Sequence, residues 1–277
     1  MKTALLPSGE RVPVFGMGTW RMAESRSGRA QEIATLRLGI ERGATLIDTA
    51  EMYGDGRAEQ LVGEAIAGRR DEVFLVSKIY PHNADAHGVP RACERSLQRL
   101  GTDRIDLYLL HWRGAVALEE TLEAFAALQR QGKIRHYGVS NFDLSDMREL
   151  GQLAAGRTVQ TDQVLYNLAR RGLEWDLGPW LREQRIPIMA YSPVEEGRLL
   201  QDPRLVELAR RYERTPAQVA LAWLHAQDQV IAIPKTGRRE RLLENLAALE
   251  HPLDAGQLGE LDRLFPAPDG PRPLEMI

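Results

Sequence analysis

The feature that most narrows the fold is a repeated plan rather than a repeated sequence. Seven short apolar runs are each followed by a stretch with helical spacing. The runs cover residues 46–48, 73–78, 105–111, 134–140, 158–163, 186–191 and 230–233. They are continuous rather than alternating, as strands buried on both faces should be. Helical crossovers between such strands make them parallel and right-handed, and eight of them close into a (β/α)8 barrel. A chain of 277 residues suits one barrel. The helical signals are specific. Leu205, Leu208, Ala209 and Tyr212 lie at i, i+3, i+4 and i+7. Thr215-Pro216-Ala217-Gln218 has a capping Thr, a first-turn Pro and a Gln three residues after the cap.

Ahead of the series, Ala4-Leu5-Leu6, a Pro7-Ser8-Gly9 turn and Val12 to Phe15 predict a β-hairpin. Gly16-Met17-Gly18-Thr19-Trp20 reads as a flexible loop, and a weak eighth strand is expected near residues 249–253. The competing architecture is an open doubly wound sheet. It begins with a strand and a glycine-rich phosphate turn, and no Gly-x-Gly-x-x-Gly is present. With no linker, repeat or low-complexity stretch, residues 1–277 are expected to form a single domain. The Pro-rich segment 266–277 is expected to lie over the barrel without regular structure.

A net charge of −3 gives no basic surface for nucleic acid or an acidic membrane. No apolar run approaches the ~18 residues of a membrane span, and the N-terminal run is too short for a signal peptide, so the expected compartment is the cytoplasm. Cys93 is alone and sits in a helical pattern, as a small core residue would. No spacing of His, Cys, Asp or Glu matches a metal motif, and neither His-Glu-x-x-His nor Gly-x-Ser-x-Gly occurs.

In a barrel of this kind the C-terminal strand ends share one face. Asp48, Lys78 and His111 each close an apolar run, and Tyr53 follows in the loop after Asp48. A phenol titrates near ~10 when free. A neighbouring ammonium favours its phenolate, a carboxylate keeps that ammonium charged, and a neutral imidazole can orient a carbonyl oxygen. The four together protonate an oxygen on which negative charge develops, as carbonyl reduction requires. A buried Asp–Lys pair could equally be structural packing.

The same segments carry a resemblance. Ile47-Asp48-Thr49-Ala50-Glu51-Met52-Tyr53-Gly54, Val76-Ser77-Lys78 and Asp106 to Trp112 resemble the signature segments of the aldo-keto reductases. So do Gly138-Val139-Ser140-Asn141-Phe142, Ala190-Tyr191-Ser192-Pro193, and Ile233-Pro234-Lys235-Thr236 with Arg241, Glu244 and Asn245. The resemblance implies a monomeric, NADPH-dependent reductase of small carbonyl compounds. Tyr53 would be the general acid, Lys78 and Asp48 its tuning pair, and His111 the substrate-orienting group. Gly18, Thr19 and Ser192 would belong to the cofactor site. Tyr191 would stack on the nicotinamide, with Ser140, Asn141 and Gln163 on its carboxamide. Lys235, Thr236 and Arg241 would hold the 2′-phosphate, and Glu244 and Asn245 the adenine. Trp20 and Trp112 would wall the substrate pocket.

Gln163-Val164-Leu165-Tyr166-Asn167-Leu168 lacks the Glu and His-Pro that many members carry, and with Arg170-Arg171-Gly172-Leu173-Glu174 it resembles a bacterial branch that includes methylglyoxal reductases. Two other functions compete. One is a Schiff-base aldolase using Lys78, which Asp48 opposes by holding the amine charged. The other is an NADPH-binding redox sensor with slow turnover.

Overall fold

A computed structural model describes residues 1–25 and 27–277. The N-terminal hairpin pairs β1 (Thr3–Leu5) with β2 (Arg11–Pro13), and Gly9 takes the left-handed turn position at φ 86°. Eight parallel strands follow: β3 (Gly16–Gly18), β4 (Leu46–Asp48), β5 (Phe74–Ile79), β6 (Ile105–Leu110), β7 (Ile134–Ser140), β8 (Asp162–Leu165), β9 (Ile188–Tyr191) and β10 (Val230–Ala232). They lie in chain order, each bonded to the next. Parallel bridges from Phe15 to Ala232 and from Gly18 to Lys235 bring the last strand back to the first. The helices alternate with them: α1 (Arg29–Glu41), α2 (Arg57–Ile66), α3 (Gly88–Leu100), α4 (Leu118–Arg130), α5 (Leu144–Gln152), α6 (Leu177–Glu183), α7 (Pro203–Arg211), α8 (Pro216–Ala226), α9 (Arg239–Glu250) and α10 (Ala255–Leu264). The fold is the expected (β/α)8 barrel with a separate hairpin.

The eighth strand is not where the sequence suggested. Residues 249–253 are the end of α9 and the turn after it, and the missing strand is Gly16–Gly18. These glycines serve contact rather than flexibility. A Cβ on Gly16 would stand 2.4 Å from Leu46 Cδ2, and one on Gly18 would stand 2.7 Å from the Ile233 carbonyl oxygen. Two smaller shifts accompany this. The strand expected at 158–163 begins at Asp162, after a 3-10 turn over Ala155–Thr158, and the helix expected near 173–181 splits into a short turn and α6. The capping box at Thr215 forms as expected, with Thr215 accepting from the Gln218 N–H and Gln218 accepting from the Thr215 N–H.

Two apolar layers result. The larger lies between sheet and helices and includes Cys93, whose thiol burial pushes up to about 12, so it is an inert core group. The smaller fills the barrel interior with Leu46, Val76, Leu107, Leu109, Met189 and Ile231, and Leu6 and Val12 of the hairpin belong to the same cluster. Strand side chains alternate between faces. Leu46, Val76 and Leu109 point inward, so Asp48, Lys78 and His111, two residues further on, point inward too. The segment 266–277 has no regular structure, and Glu275 pairs with Arg170 just past β8.

Candidate active site

Lys78 is the hub of the inward-facing polar groups. Its Nζ donates to Asp48 Oδ2 at 2.8 Å, to the Thr49 carbonyl at 2.9 Å and to the Tyr53 hydroxyl at 3.0 Å. An ammonium has three protons, and all three are placed. The Lys78 side chain is fully buried and that of Asp48 is 3 % exposed. The second oxygen of Asp48 accepts from Gln163 Nε2 at 2.8 Å, and its backbone carbonyl accepts from Thr19 Oγ1 at 2.9 Å. His111 stands edge-on to Tyr53 with ring centroids 5.9 Å apart, and Trp112 packs on His111 at 4.9 Å.

Local sequence brings Tyr53 to this point. After Tyr53, Gly54, Asp55 and Gly56 take φ values of 58°, 54° and 83°. This left-handed run is cheap mainly because two of the three are glycine. It reverses the chain into α2 and leaves the phenol over the Lys78 ammonium, whose nitrogen lies 4.7 Å from the ring centroid.

The ionisation states follow from burial and pairing. Burial alone would lower the Lys78 pKa, but Asp48 and then Tyr53 outweigh it, and the net shift is upward, so the amine is charged. Burial raises the Tyr53 phenol, Lys78 pulls it down and Asp48 pushes it up; the net direction is upward. The resting phenol is therefore protonated, and the acidifying pull expected from Lys78 only moderates the effect of burial. His111 is lowered to about 2 by burial and by the Lys78 charge, so its imidazole is neutral. Its Nδ1 is buried without a partner.

A second group of predicted residues meets at the ends of β7, β8 and β9. Asn141 is left-handed at φ 59°. Its N–H donates to the Gln163 carbonyl at 2.9 Å, and its Nδ2 donates to the His111 carbonyl at 3.1 Å and to Ser140 Oγ at 3.2 Å. Ser140 Oγ donates to the Gln163 carbonyl at 2.8 Å, and the Tyr191 hydroxyl donates to Asn141 Oδ1 at 2.9 Å. Ser192, next along, is left-handed at φ 46°.

The third group lies after β10. Lys235 bridges to Gly18, and Thr236 Oγ1 accepts from the Arg238 N–H at 3.1 Å. The first turn of α9 has no side-chain cap. On α9, Arg241 is exposed, Glu244 is half-buried and Asn245 is buried. Among the described residues no ion pair ties Lys235, Arg238, Arg239 or Arg241 to a carboxylate. Arg238 and Arg239 were not singled out from the sequence, although their position between Thr236 and Arg241 could have marked them.

The pattern matches known proteins over almost the whole chain. The model of the aldo/keto reductase family matches residues 14–265. The chain belongs to the aldo/keto reductase family. It is 51 % identical over 271 residues to the methylglyoxal reductase YeaE of Escherichia coli, covering 96 % of this chain and 95 % of that protein. It is 31 % identical to the glyoxal reductase of Bacillus subtilis, covering 99 % and 97 %. In structure it is similar to an aldo/keto reductase from Klebsiella pneumoniae crystallised with NADP and acetate, with a TM-score of 0.97, 48 % identity and coverage of 100 % and 99 %.

Trp112 is edge-on to Tyr80 at 5.8 Å, and Trp20 carries the Arg21 guanidinium 4.4 Å above its ring. His82 stacks on Tyr80 at 4.7 Å, and His136 pairs with Glu10 at 2.7 Å on the opposite end of the barrel. Among the described residues no group of His, Cys, Asp and Glu could hold a metal, and no helix is long and apolar enough to cross a membrane. The Asp48–Gln163 contact was not foreseen: Gln163 was read only as a carboxamide partner.

Proposed function

We propose that this protein is an NADPH-dependent carbonyl reductase in which Tyr53 protonates the substrate oxygen. One observation carries the reading: an unbroken chain from Asp48 through Lys78 to the Tyr53 hydroxyl at the C-terminal end of the barrel, beside a neutral His111. When bound, NADPH supplies the hydride that the carbonyl carbon receives. Tyr53 gives up its proton as charge builds on the oxygen, and the Lys78 ammonium stabilises the phenolate left behind. Asp48 keeps Lys78 charged and aimed. His111, uncharged, offers one N–H to orient the carbonyl oxygen. Trp20 and Trp112 supply flat apolar walls.

The chain fits a nucleotide of this kind. The start of α9 has no side-chain cap, which leaves its first N–H groups free to take an anion, and Lys235, Arg238, Arg239 and Arg241 add unpaired positive charge. Two or more cations about one phosphate favour NADP over NAD. Gly18 has no room for a side chain against Ile233, and Thr19 is fixed on Asp48. These features support a 2′-phosphate at Lys235, Thr236 and Arg241, adenine at Glu244 and Asn245, and nicotinamide against Tyr191, Ser140, Asn141, Gln163 and Ser192. One chain carries every residue of the set, so a monomer suffices.

The relatives named for methylglyoxal and glyoxal support small activated aldehydes as substrates. The upward shift of Lys78 works against the Schiff-base alternative, which needs a free amine. The test is NADPH oxidation by purified protein with methylglyoxal and with an aromatic aldehyde. Aldehyde-dependent oxidation is expected. Tight NADPH binding without turnover on either aldehyde would favour a sensor, and a substrate adduct trapped by borohydride would favour an aldolase.

A further inference from the structure

Gln163 joins two sets of groups that the sequence kept apart. It lies on β8, is 1 % exposed, and reaches across the barrel to a residue 115 positions earlier in the chain. Its Nε2 donates to Asp48 Oδ1 at 2.8 Å and touches Met189 Sδ at 2.9 Å. The orientation is set by chemistry, because only the amide nitrogen can face a carboxylate. Asp48 then has one donor on each oxygen, Lys78 on Oδ2 and Gln163 on Oδ1. Removing the amide would leave Oδ1 without a donor, and a buried carboxylate oxygen in that state does not stay where it was. The backbone carbonyl of Gln163 meanwhile accepts from Ser140 Oγ and from the Asn141 N–H. Its side-chain Oε1 has no hydrogen-bond partner among the described residues, so it remains an open acceptor beside the nicotinamide-side group.

We propose that Gln163 is a positioning residue for proton delivery: its amide fixes Asp48, and through Asp48 the Lys78–Tyr53 pair, from the side on which the nicotinamide carboxamide binds. This rests on the reductase reading above. One amide then serves two tasks, with Nε2 committed to the proton chain and Oε1 left to accept from the carboxamide N–H. Aim of the acid and occupancy of the nicotinamide pocket are thereby tied through a single side chain.

The decisive variant is Gln163→Glu, compared with Gln163→Ala. A glutamic acid has nearly the same shape, and while protonated its O–H donates to Asp48 Oδ1 as the amide does. Ionised, it sets a second anion against Asp48. The groups facing that position are Asp48 from β4, Lys78 from β5 with Tyr53 above it, and His111 from the end of β6. Met189 on β9 and Ser140 and Asn141 on the β7 side carry no charge. Gln163→Ala is expected to lower turnover at saturating NADPH about ten- to a hundredfold at every pH, the equivalent of ~1.4–2.7 kcal/mol, close to the range for a hydrogen bond to a charged group. Gln163→Glu is expected to recover to within about tenfold of wild type on the acid side. It should then fall as pH rises through the shared titration, a limb that wild type lacks. The cofactor-free proteins give a second readout. The Tm of Gln163→Glu should drop with rising pH relative to wild type, whereas that of Gln163→Ala should run parallel to it. If Gln163→Glu follows Gln163→Ala at every pH in both measurements, or if Gln163→Ala turns over like wild type, the proposal is wrong. Failure of the reductase reading looks different: Tyr53→Phe would keep full turnover while the Tm profile of Gln163→Glu still showed the paired carboxyls.

Discussion

Breaking the Asp48–Lys78 pair from one side should cost far more than removing both charges. The charges are 2.8 Å apart and essentially dry. At an effective dielectric of ~20 their attraction is about 6 kcal/mol, most of which offsets the cost of taking two ions out of water. Lys78→Met removes the ammonium but leaves a buried carboxylate held only by Gln163. Asp48→Leu leaves an ammonium with the Thr49 carbonyl and the Tyr53 hydroxyl. Each single change should destabilise the fold by ~3–5 kcal/mol. That is a large share of a typical total of ~5–15 kcal/mol and a drop of roughly 10 °C in Tm. The double variant leaves no unpaired charge, so it should be at least as stable as either single one. Urea unfolding at neutral pH gives the three values. Because Lys78 is raised in the fold, its contribution should be complete below about pH 10.4 and should disappear only as pH climbs past it. If the double variant loses the sum of the two single losses, the charges are not coupled and the buried-pair argument fails.

Four further outcomes are expected. His111→Gln should lower turnover without moving the pH–rate profile between about 5 and 8, since the wild-type imidazole stays neutral there; the appearance or loss of a limb in that range would contradict a pKa near 2. The same lowered pKa predicts that wild type loses stability as pH falls below about 6.5, where the unfolded imidazole takes up its proton, and that His111→Gln loses less on acidification, read from Tm against pH. Asp162 is buried with Oδ2 unpartnered and is raised well above the ordinary carboxylate range by burial, with Asp146 and Asp143 adding to the effect. Its cost therefore grows as pH rises, and Asp162→Asn should raise Tm more at pH 8 than at pH 4, with equal Tm changes at both counting against it. Arg241→Ala should weaken NADPH about tenfold or more and NADH little, from the loss of one charge-assisted bond; equal losses in a fluorescence titration would remove the 2′-phosphate from this residue.

Much of the site was legible because alternation is a local rule. Leu46 and Asp48, Val76 and Lys78, Leu109 and His111 are each two apart, so placing the apolar residue inside places the polar one there too. Tyr53 could be placed because glycines flank Asp55 in the turn that returns it. The first barrel strand was not legible, since Gly-Met-Gly offers almost no side-chain pattern and its glycines record contacts with Leu46 and Ile233, both far along the chain. The start of β8 was misread for a different reason: Thr158, Val159 and Thr161 are β-branched as strand residues often are, but Thr158 closes a 3-10 turn and the strand begins only at Asp162. The link from Gln163 to Asp48 was out of reach because nothing near either residue encodes the other. The balance of burial against charge at Tyr53 likewise depends on how deeply the finished barrel covers it.

Single-turnover mixing of the Tyr53→Phe variant, preloaded with NADPH, against excess methylglyoxal tests the central claim most directly. The account predicts NADPH binding close to wild type and NADPH oxidation slowed by about a hundredfold or more, as expected for loss of a positioned acid. Wild-type oxidation by a variant that has no hydroxyl at position 53 would contradict it.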